Sequence, residues 1–143
     1  MMNILFLCTG NTCRSPMAEG IFKKMTENSS IVCQSAGMAT HDDMPVTPNA
    51  VEACRKIGVD ISKHKSQQIQ LLDNIADIDL FVVMSKAHAD ILKQCEIPEE
   101  KIYVLGVSDP YGGDLEVYEE CRDLIQSKLE ILYKKIMGEN ADE

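Results

Sequence analysis

Four short apolar runs alternate along this chain with stretches of helical periodicity, and no other feature of the sequence limits the fold as strongly. The four runs cover residues 3–7, 31–35, 80–84 and 102–105. Their length and composition predict strands, and the helical stretches between them are long enough to cross over to a parallel neighbour. Right-handed crossovers place helices on both faces of such a sheet. We therefore predict an α/β fold, with residues 1–143 forming one domain.

Proline, serine and glycine residues mark where the predicted helices begin and end. Pro16 and Pro48 each follow a Ser or Thr residue and stand at the first helical position, where proline is favoured. The first helix is expected to end near Asn28. Ser85 can cap a third helix, and Gly138 can end the fourth. The apolar stripe of the fourth helix is predicted to consist of Val117, Cys121, Leu124, Ile125, Leu129, Leu132 and Ile136.

Charge and composition exclude several classes of function. The net charge of −9 disfavours nucleic acid and anionic membranes as partners, because both repel an acidic protein. No apolar run approaches the ~20 residues of a membrane span, and the apolar start of the chain lacks the basic flank and cleavage site of a signal peptide. We therefore expect a cytoplasmic protein whose six cysteines are thiols. None of them belongs to a CxxC pair, so no metal site is expected.

The segment between the first strand and the first helix has the composition of an anion-binding loop. Cys8 and Arg14 are separated by five residues in the sequence Cys-Thr-Gly-Asn-Thr-Cys-Arg-Ser. Ligands of parallel sheets bind beyond the carboxyl ends of the strands, which is where this loop should lie. An arc of this length can direct successive backbone N–H groups at a tetrahedral anion, and the following helix adds partial positive charge. Because Arg14 can also bind two phosphate oxygens through its planar guanidinium, we predict a site for phosphate-like anions.

Cys8 is the predicted nucleophile of this loop. The donors and positive charge around it should leave the sulfur as a thiolate at neutral pH, and thiolate is the reactive form. Ser15 can donate a hydrogen bond to that sulfur. A cysteine at the end of a buried strand is usually inert packing, but the adjacent anion-binding loop favours a reactive residue.

Phosphoryl transfer also requires a proton for the leaving group, and Asp109 is the candidate that can supply it. This residue belongs to a loop after the fourth predicted strand, from which a carboxyl group can reach over the site. Most Asp-Pro pairs only form turns, so Asp109-Pro110 by itself would not indicate catalysis.

Cys13 is predicted to act as a redox partner of Cys8. The two residues flank the same tight loop, so Cys13 should trap a sulfenic acid on Cys8 as a disulfide. The alternative role of Cys13 is small packing beneath the loop, and the two roles are compatible.

The residues around the loop resemble the signature of the low molecular weight protein tyrosine phosphatase family. The resemblance is carried by Leu7 to Glu19, by Ser35-Ala36-Gly37, by Asp60-Ile61-Ser62-x-His64 and by Asp109-Pro110-Tyr111. It implies a flavodoxin-like, doubly wound parallel sheet of four strands in the order 2-1-3-4. It also implies catalysis through a phosphocysteine intermediate, with no metal or organic cofactor.

The resemblance assigns a role to each residue of the candidate site. Cys8, Arg14 and Asp109 would be catalytic, and Tyr111 would form a wall against the substrate. The phosphate-binding loop would comprise Thr9, Gly10, Asn11, Thr12, Cys13, Arg14 and Ser15. Hydrogen bonds among Asn11, Ser35 and His64 would support the strained shape of this loop.

Thr12 favours phosphoarginine in a protein or peptide as the substrate. Tyrosine-specific members commonly carry an aliphatic residue at this position, whereas the branch resembling protein arginine phosphatases carries threonine. A hydroxyl group can bond a phosphoguanidinium nitrogen, which has no counterpart in a phosphotyrosine ring. The segment 38–44 also lacks the aromatic residue that tyrosine-specific members often place there, and segments 47–53 and 109–114 look like the arginine branch. Phosphotyrosine remains the alternative.

Two further functions are compatible with such a loop. Arsenate reduction requires two additional cysteines around the end of the third strand and the next helix, where this chain has Met84-Ser85 and only Cys95. A non-catalytic anion-binding module would not need Cys8, Arg14 and Asp109 together. We therefore rank both below the phosphatase.

Overall fold

Four strands and four α-helices alternate in the computed structural model, which describes residues 2–138. They are β1 (Met2–Cys8), α1 (Arg14–Met25), β2 (Ile31–Gly37), α2 (Pro48–Arg55), β3 (Leu80–Val83), α3 (Lys86–Gln94), β4 (Ile102–Val104) and α4 (Leu115–Ile136). Short 3-10 turns are formed by Ile69–Leu71, Ile75–Asp77 and Glu99–Lys101. No helix within residues 2–138 is long and apolar enough to cross a membrane.

The strands form one parallel sheet in the order β2-β1-β3-β4, which confirms the predicted fold class and strand order. Strand β1 lies between β2 and β3, so the connections on its two sides run in opposite directions along the sheet. Such a switch point opens a crevice at the carboxyl ends of the strands. Cys8 is the last residue of β1 and pairs with Gly37, the last residue of β2, so the predicted loop begins at this crevice.

Two apolar clusters cover the two faces of the sheet. Ile4 and Phe6 of β1 point into a cluster with residues of α1, α2 and α4, whereas Leu5 and Leu7 point into a cluster with residues of α3. All four side chains are fully buried. Successive residues of a strand face opposite sides of the sheet, so a strand covered on both sides must be apolar throughout.

The starts of α2 and α3 agree with the sequence prediction, but the buried face of α4 does not. Val117 and Leu124, which were predicted in the apolar stripe, are 39% and 43% exposed. Tyr118, which was not predicted there, is almost fully buried. Successive residues lie about 100° apart around a helix, so Leu124 and Ile125 cannot both face the sheet. Because Ile125 faces inward, Leu124 is turned outward.

The first helix also differs slightly from its prediction. It begins at Arg14 rather than at Pro16 and ends at Met25 rather than near Asn28. Ser85 caps α3 as predicted, since its hydroxyl oxygen accepts a hydrogen bond from the backbone N–H of His88. Because α1 starts early, Arg14 and Ser15, the last two residues of the predicted phosphate-binding loop, belong to its first turn.

Candidate active site

The loop between β1 and α1 joins two residues that were predicted to act together. Cys8 ends β1 and is 3% exposed, and Arg14 begins α1 and is 6% exposed. Asn11, in the middle of the loop, has a φ of 56°. Few residues adopt this left-handed conformation, and asparagine tolerates it better than most. The loop therefore bends sharply back on itself between a strand end and a helix start.

Two hydrogen-bond donors converge on the sulfur of Cys8. Ser15 Oγ lies 2.9 Å from Cys8 Sγ, and the backbone N–H of Asn11 donates to the same sulfur over 3.3 Å. The side-chain amide of Asn11 donates to Ser15 Oγ over 2.8 Å, which leaves the hydrogen of the Ser15 hydroxyl free to point at the sulfur. Donors aimed at sulfur stabilise its negatively charged form.

Asn11 also connects the loop to distant parts of the chain. Its Nδ2 group donates to Ser35 Oγ over 3.0 Å, and its Oδ1 atom accepts from the backbone N–H of Gln67 over 2.9 Å. His64 Nε2 lies 3.1 Å from the same Oδ1 atom. Because the Gln67 amide can only donate, the orientation of the Asn11 side chain is determined, and His64 must be protonated on Nε2. The structure thus brings Asn11, Ser35 and His64 together.

Glu19 lies behind this group, and sequence reasoning assigned it no role. Ser35 Oγ donates to Glu19 Oε1 over 2.5 Å, and His64 Nδ1 is 3.7 Å from the same oxygen. Lys23 Nζ lies 2.7 Å from the other carboxylate oxygen. Burial lowers the pKa of His64 below its ordinary value, and the nearby Glu19 carboxylate opposes this effect. The spacing was a usable signal, because Ser15, Glu19 and Lys23 recur every four residues on one side of α1.

The loop after β4 holds Arg14 from the opposite side. Arg14 Nη1 donates to the backbone oxygen of Val107 over 2.9 Å, and Nη2 lies 3.8 Å from Asp109 Oδ2. The Asp109 side chain is 52% exposed, whereas that of Arg14 is 8% exposed. Asp109 Oδ1 also accepts the backbone N–H of Tyr111 over 3.0 Å. Asp109 therefore approaches the guanidinium from the solvent side.

Tyr111 and Thr12, the two predicted substrate contacts, differ in exposure. Tyr111 is 83% exposed, so its ring stands in solvent beside Asp109. Thr12 is partly buried, and its backbone oxygen accepts the N–H of Thr47 over 2.8 Å. This bond ties the loop to the start of α2.

All six cysteines are free thiols. Burial raises the pKa of the Cys13 thiol far above its ordinary value, and neighbouring thiols and Asp109 raise it further. Burial thus favours the protonated form of Cys13, which stands directly before α1 as its N-cap. The disulfide between Cys8 and Cys13 stays a prediction.

His88 is a second residue that sequence reasoning missed. It belongs to the first turn of α3 and is 7% exposed. Its Nε2 atom lies 2.9 Å from Thr9 Oγ1 of the loop. A lone histidine on a helix carries no pattern that would have indicated this contact, because Thr9 lies 79 positions away in the chain.

The sequence of this chain is similar to those of several known proteins. Residues 3–142 match the profile of a family described as low molecular weight phosphotyrosine protein phosphatase. A protein-arginine-phosphatase from Bacillus subtilis is 34% identical, over 94% of this chain and 97% of its own length. An arsenate reductase from Staphylococcus epidermidis is 39% identical, over 89% of this chain and 92% of its own length.

A solved structure shows the same architecture. The low molecular weight protein tyrosine phosphatase from T. tengcongensis superposes with a TM-score of 0.87 at 33% identity. The match covers 94% of this chain and 99% of that one. The relatives are thus named for three different activities, at similar levels of identity.

Proposed function

We propose that this chain, which belongs to the low molecular weight phosphotyrosine protein phosphatase family, hydrolyses phosphoarginine in proteins or peptides through a phosphocysteine intermediate. The observation that carries the phosphatase chemistry is the convergence of Ser15 Oγ and the Asn11 N–H on Cys8 Sγ, at 2.9 and 3.3 Å. A sulfur prepared in this way, next to a buried arginine, is suited to attack on a bound phosphoryl group.

The first step transfers the phosphoryl group to the enzyme. The Cys8 thiolate attacks phosphorus in line, so that an S–P bond forms while the bond from phosphorus to the leaving nitrogen breaks. Asp109 donates its proton to that nitrogen. Arg14 and the backbone N–H groups of the loop stabilise the charge on the phosphoryl oxygens in the transition state. The bond from Arg14 to the Val107 carbonyl supports this role, because it holds the guanidinium in place before substrate arrives.

The second step hydrolyses the intermediate. The Asp109 carboxylate takes a proton from water, the water oxygen forms a bond to phosphorus, and the S–P bond breaks. Phosphate and the Cys8 thiolate are released, and Asp109 is again protonated. The exposure of Asp109 supports this step, since water can reach a carboxylate that is 52% exposed. Every atom in the cycle comes from substrate, water or side chains of this chain.

Thr12 supports phosphoarginine as the substrate. Thr12 is a partly exposed residue in the middle of the loop, and we expect its hydroxyl group to contact a bound substrate. The similarity to the Bacillus subtilis protein-arginine-phosphatase extends over nearly the whole chain and agrees with this assignment. A phosphoguanidinium offers nitrogen donors to such a hydroxyl, whereas a phosphotyrosine ring does not.

The position of Cys95 disfavours arsenate reduction, despite the similarity to arsenate reductases. His88, at the start of α3, touches the loop through Thr9, whereas Cys95 follows the other end of the same helix. Cys95 lies seven positions after His88, which corresponds to about 10 Å along a helix. Met84, directly after β3, is fully buried and offers no thiol. A disulfide relay through this helix would therefore lack both of its additional cysteines near Cys8.

Substitution of Thr12 provides the decisive experiment. Thr12→Ile should lower kcat/KM on a phosphoarginine peptide by the equivalent of about 1–3 kcal/mol, because a polar substrate nitrogen is left without a partner. Activity on the matching phosphotyrosine peptide should be kept or increase. A parallel loss on both peptides would return phosphotyrosine to first place.

Two controls accompany this experiment. Cys8→Ser should abolish turnover of every phosphorylated substrate while preserving the fold, because a serine hydroxyl stays protonated at neutral pH. The absence of any turnover by the wild type, including that of para-nitrophenyl phosphate, would indicate a non-catalytic anion-binding module. Thiol-dependent turnover of arsenate would indicate the reductase.

A further inference from the structure

His88 lies against the phosphate-binding loop, although the proposed mechanism does not use it. Its Nε2 atom is 2.9 Å from Thr9 Oγ1, and its Nδ1 atom is 3.0 Å from Ser85 Oγ. Thr9 directly follows Cys8 and is itself exposed to solvent. One buried imidazole therefore connects the cap of α3 to the hydroxyl group of an exposed residue next to the nucleophile.

The contact between Ser85 and His88 Nδ1 bears on the tautomer of His88. The Ser85 oxygen accepts the backbone N–H of His88 over 3.3 Å, as the cap of α3. His88 Nδ1 lies 3.0 Å from the same oxygen, and we assign the Ser85 hydroxyl as the donor of this hydrogen bond. A neutral ring that accepts at Nδ1 carries its proton on Nε2 and donates it to Thr9. The hydrogen of the Thr9 hydroxyl is then free for a partner outside the protein.

The charges around His88 place it within the electrostatic reach of the candidate active site. Arg14 acts on it from α1, and Asp109 acts on it from the loop after β4. Burial lowers the pKa of His88 below its ordinary value, the Arg14 guanidinium lowers it further, and Asp109 opposes them. The ring is therefore neutral near pH 7, which is the state in which Ser85 can determine the tautomer.

We propose that His88 is a positioning residue that orients Thr9, so that the Thr9 hydroxyl donates a hydrogen bond to the phosphoryl group held by the loop. This inference rests on the proposed phosphatase function and adds a contact to it. The Ser85 hydroxyl donates to His88, His88 donates to Thr9, and Thr9 donates to a phosphoryl oxygen. Because the negative charge on that oxygen is rearranged in the transition state, the contact should act mainly on kcat rather than on KM.

A comparison of two substitutions at His88, with para-nitrophenyl phosphate as substrate, tests the proposal. His88→Ala should lower kcat about tenfold with little change in KM, because Thr9 loses its donor. His88→Gln should stay close to the wild type, since its amide nitrogen can reach the position of Nε2 and donate to Thr9. Asp90→Asn is the control, because Asp90 is an exposed residue of the same helix. Wild-type kinetics in His88→Ala would overturn the proposal.

A double-substitution cycle separates positioning from general damage to the fold. Thr9→Val removes the hydroxyl with little change of shape and should lower kcat by about the same factor as His88→Ala. Adding His88→Ala to Thr9→Val should then cost no further activity, because both changes interrupt one chain of hydrogen bonds. If His88→Ala lowers kcat in the Thr9→Val background by as much as it does in the wild type, then His88 does not act through Thr9. This result would overturn the proposal. If His88→Ala does not fold, the comparison of Thr9→Val with His88→Gln remains decisive, because only Thr9→Val should lose activity.

Nuclear magnetic resonance of the imidazole nitrogens distinguishes the proposed role of His88 from a purely structural one. The His88 ring should carry its proton on Nε2 near pH 7, and inorganic phosphate should shift its signals in the wild type but much less in Thr9→Val. A proton on Nδ1, or a response to phosphate that is unchanged in Thr9→Val, would contradict the proposed chain. Failure of the wild type to turn over any phosphorylated substrate, phosphoarginine peptides included, would instead contradict the proposed function, so the two failures are distinguishable.

Discussion

At the scale of single residues, the geometry of the candidate site depends most on Asn11. Its backbone has a φ of 56°, and its side chain is fully buried. The side-chain amide donates to Ser15 and Ser35 and accepts from His64 and the backbone of Gln67. A left-handed backbone is costly for residues other than glycine, and it persists where surrounding contacts hold it. Here these contacts come from separate segments of the chain, so the loop shape is a tertiary property.

A single substitution of Asp109 can remove its proton transfer while keeping its hydrogen bond to the backbone. Asp109→Asn keeps an oxygen for the backbone N–H of Tyr111 but cannot donate or take up the catalytic proton. We expect kcat on a phosphopeptide to fall about 10²–10⁴-fold, with a smaller loss on para-nitrophenyl phosphate, whose leaving group needs little protonation. Steady-state kinetics on both substrates measure the difference.

The matched control for this prediction is Asp114→Asn. Asp114 belongs to the same loop but caps α4 by accepting the N–H of Val117 over 3.1 Å, a role that asparagine also fills. The control should therefore retain activity. Equal losses on both leaving groups in Asp109→Asn would assign Asp109 a structural role instead.

At the scale of elements, the ends of β1 and β2 form the floor on which the loop rests. The backbone N–H groups of Met38 and Ala39 donate to the carbonyl oxygens of Cys8 and Thr9, over 2.9 and 3.0 Å. A Cβ atom added at Gly37 would lie 2.9 Å from the Thr9 oxygen and 3.1 Å from Asn11 Cβ. The close approach of strand end and loop therefore requires a residue without a side chain.

Gly37→Ala should consequently disturb the loop more than the sheet. We expect the free energy of unfolding to fall by about 1–3 kcal/mol. We also expect kcat to fall by at least the factor that corresponds to this free energy, because the added methyl group makes Asn11 shift. Denaturant unfolding and steady-state kinetics on the same samples measure the two effects.

Gly20→Ala provides the comparison for Gly37→Ala. A Cβ atom at Gly20 would lie 2.6 Å from Ile61 Cγ2 and 2.9 Å from Val59 Cγ1, which are side-chain atoms away from the loop. This variant should lose stability while keeping most of its kcat. Unchanged kinetics in Gly37→Ala would show that the loop tolerates the added methyl group.

At the scale of the whole molecule, two largely buried histidines link the candidate site to global stability. His64 contacts the loop at Asn11, and His88 contacts it at Thr9. Burial is the largest cause that lowers the pKa of each ring. In the unfolded chain both rings titrate near pH ~6.5. Over the range between the folded and unfolded pKa values, the unfolded chain therefore binds more protons than the folded one.

The free energy of unfolding should accordingly decrease as the pH falls below about 6.5, because proton uptake favours the unfolded chain there. Urea unfolding at pH ~7.5 and ~5.5 measures the change, above the range in which most carboxylates titrate. The double variant His64→Gln and His88→Gln should lose less stability over this interval. His41→Gln, at an exposed histidine, should behave as the wild type does. Constant or rising stability of the wild type on acidification would contradict the prediction.

The order of the elements and the identity of the loop were encoded locally, so the sequence by itself determined them. Apolar runs and helical periodicities extend over a few residues, and they predicted the alternation and the parallel sheet. Pro48 and Ser85 predicted the starts of α2 and α3. The segment from Cys8 to Ser15 is contiguous, so its anion-binding composition could be recognised without a structure.

Only the tertiary structure decided which distant groups meet at the loop. His88 lies 79 positions from Thr9, and Val107 lies 93 positions from Arg14, so no local pattern encodes either hydrogen bond. The same holds for α4, where rotation of the helix against the sheet buried Tyr118 and exposed Val117 and Leu124. Apolar periodicity predicts that a helix has a buried face, but packing against neighbouring elements determines how that face is centred.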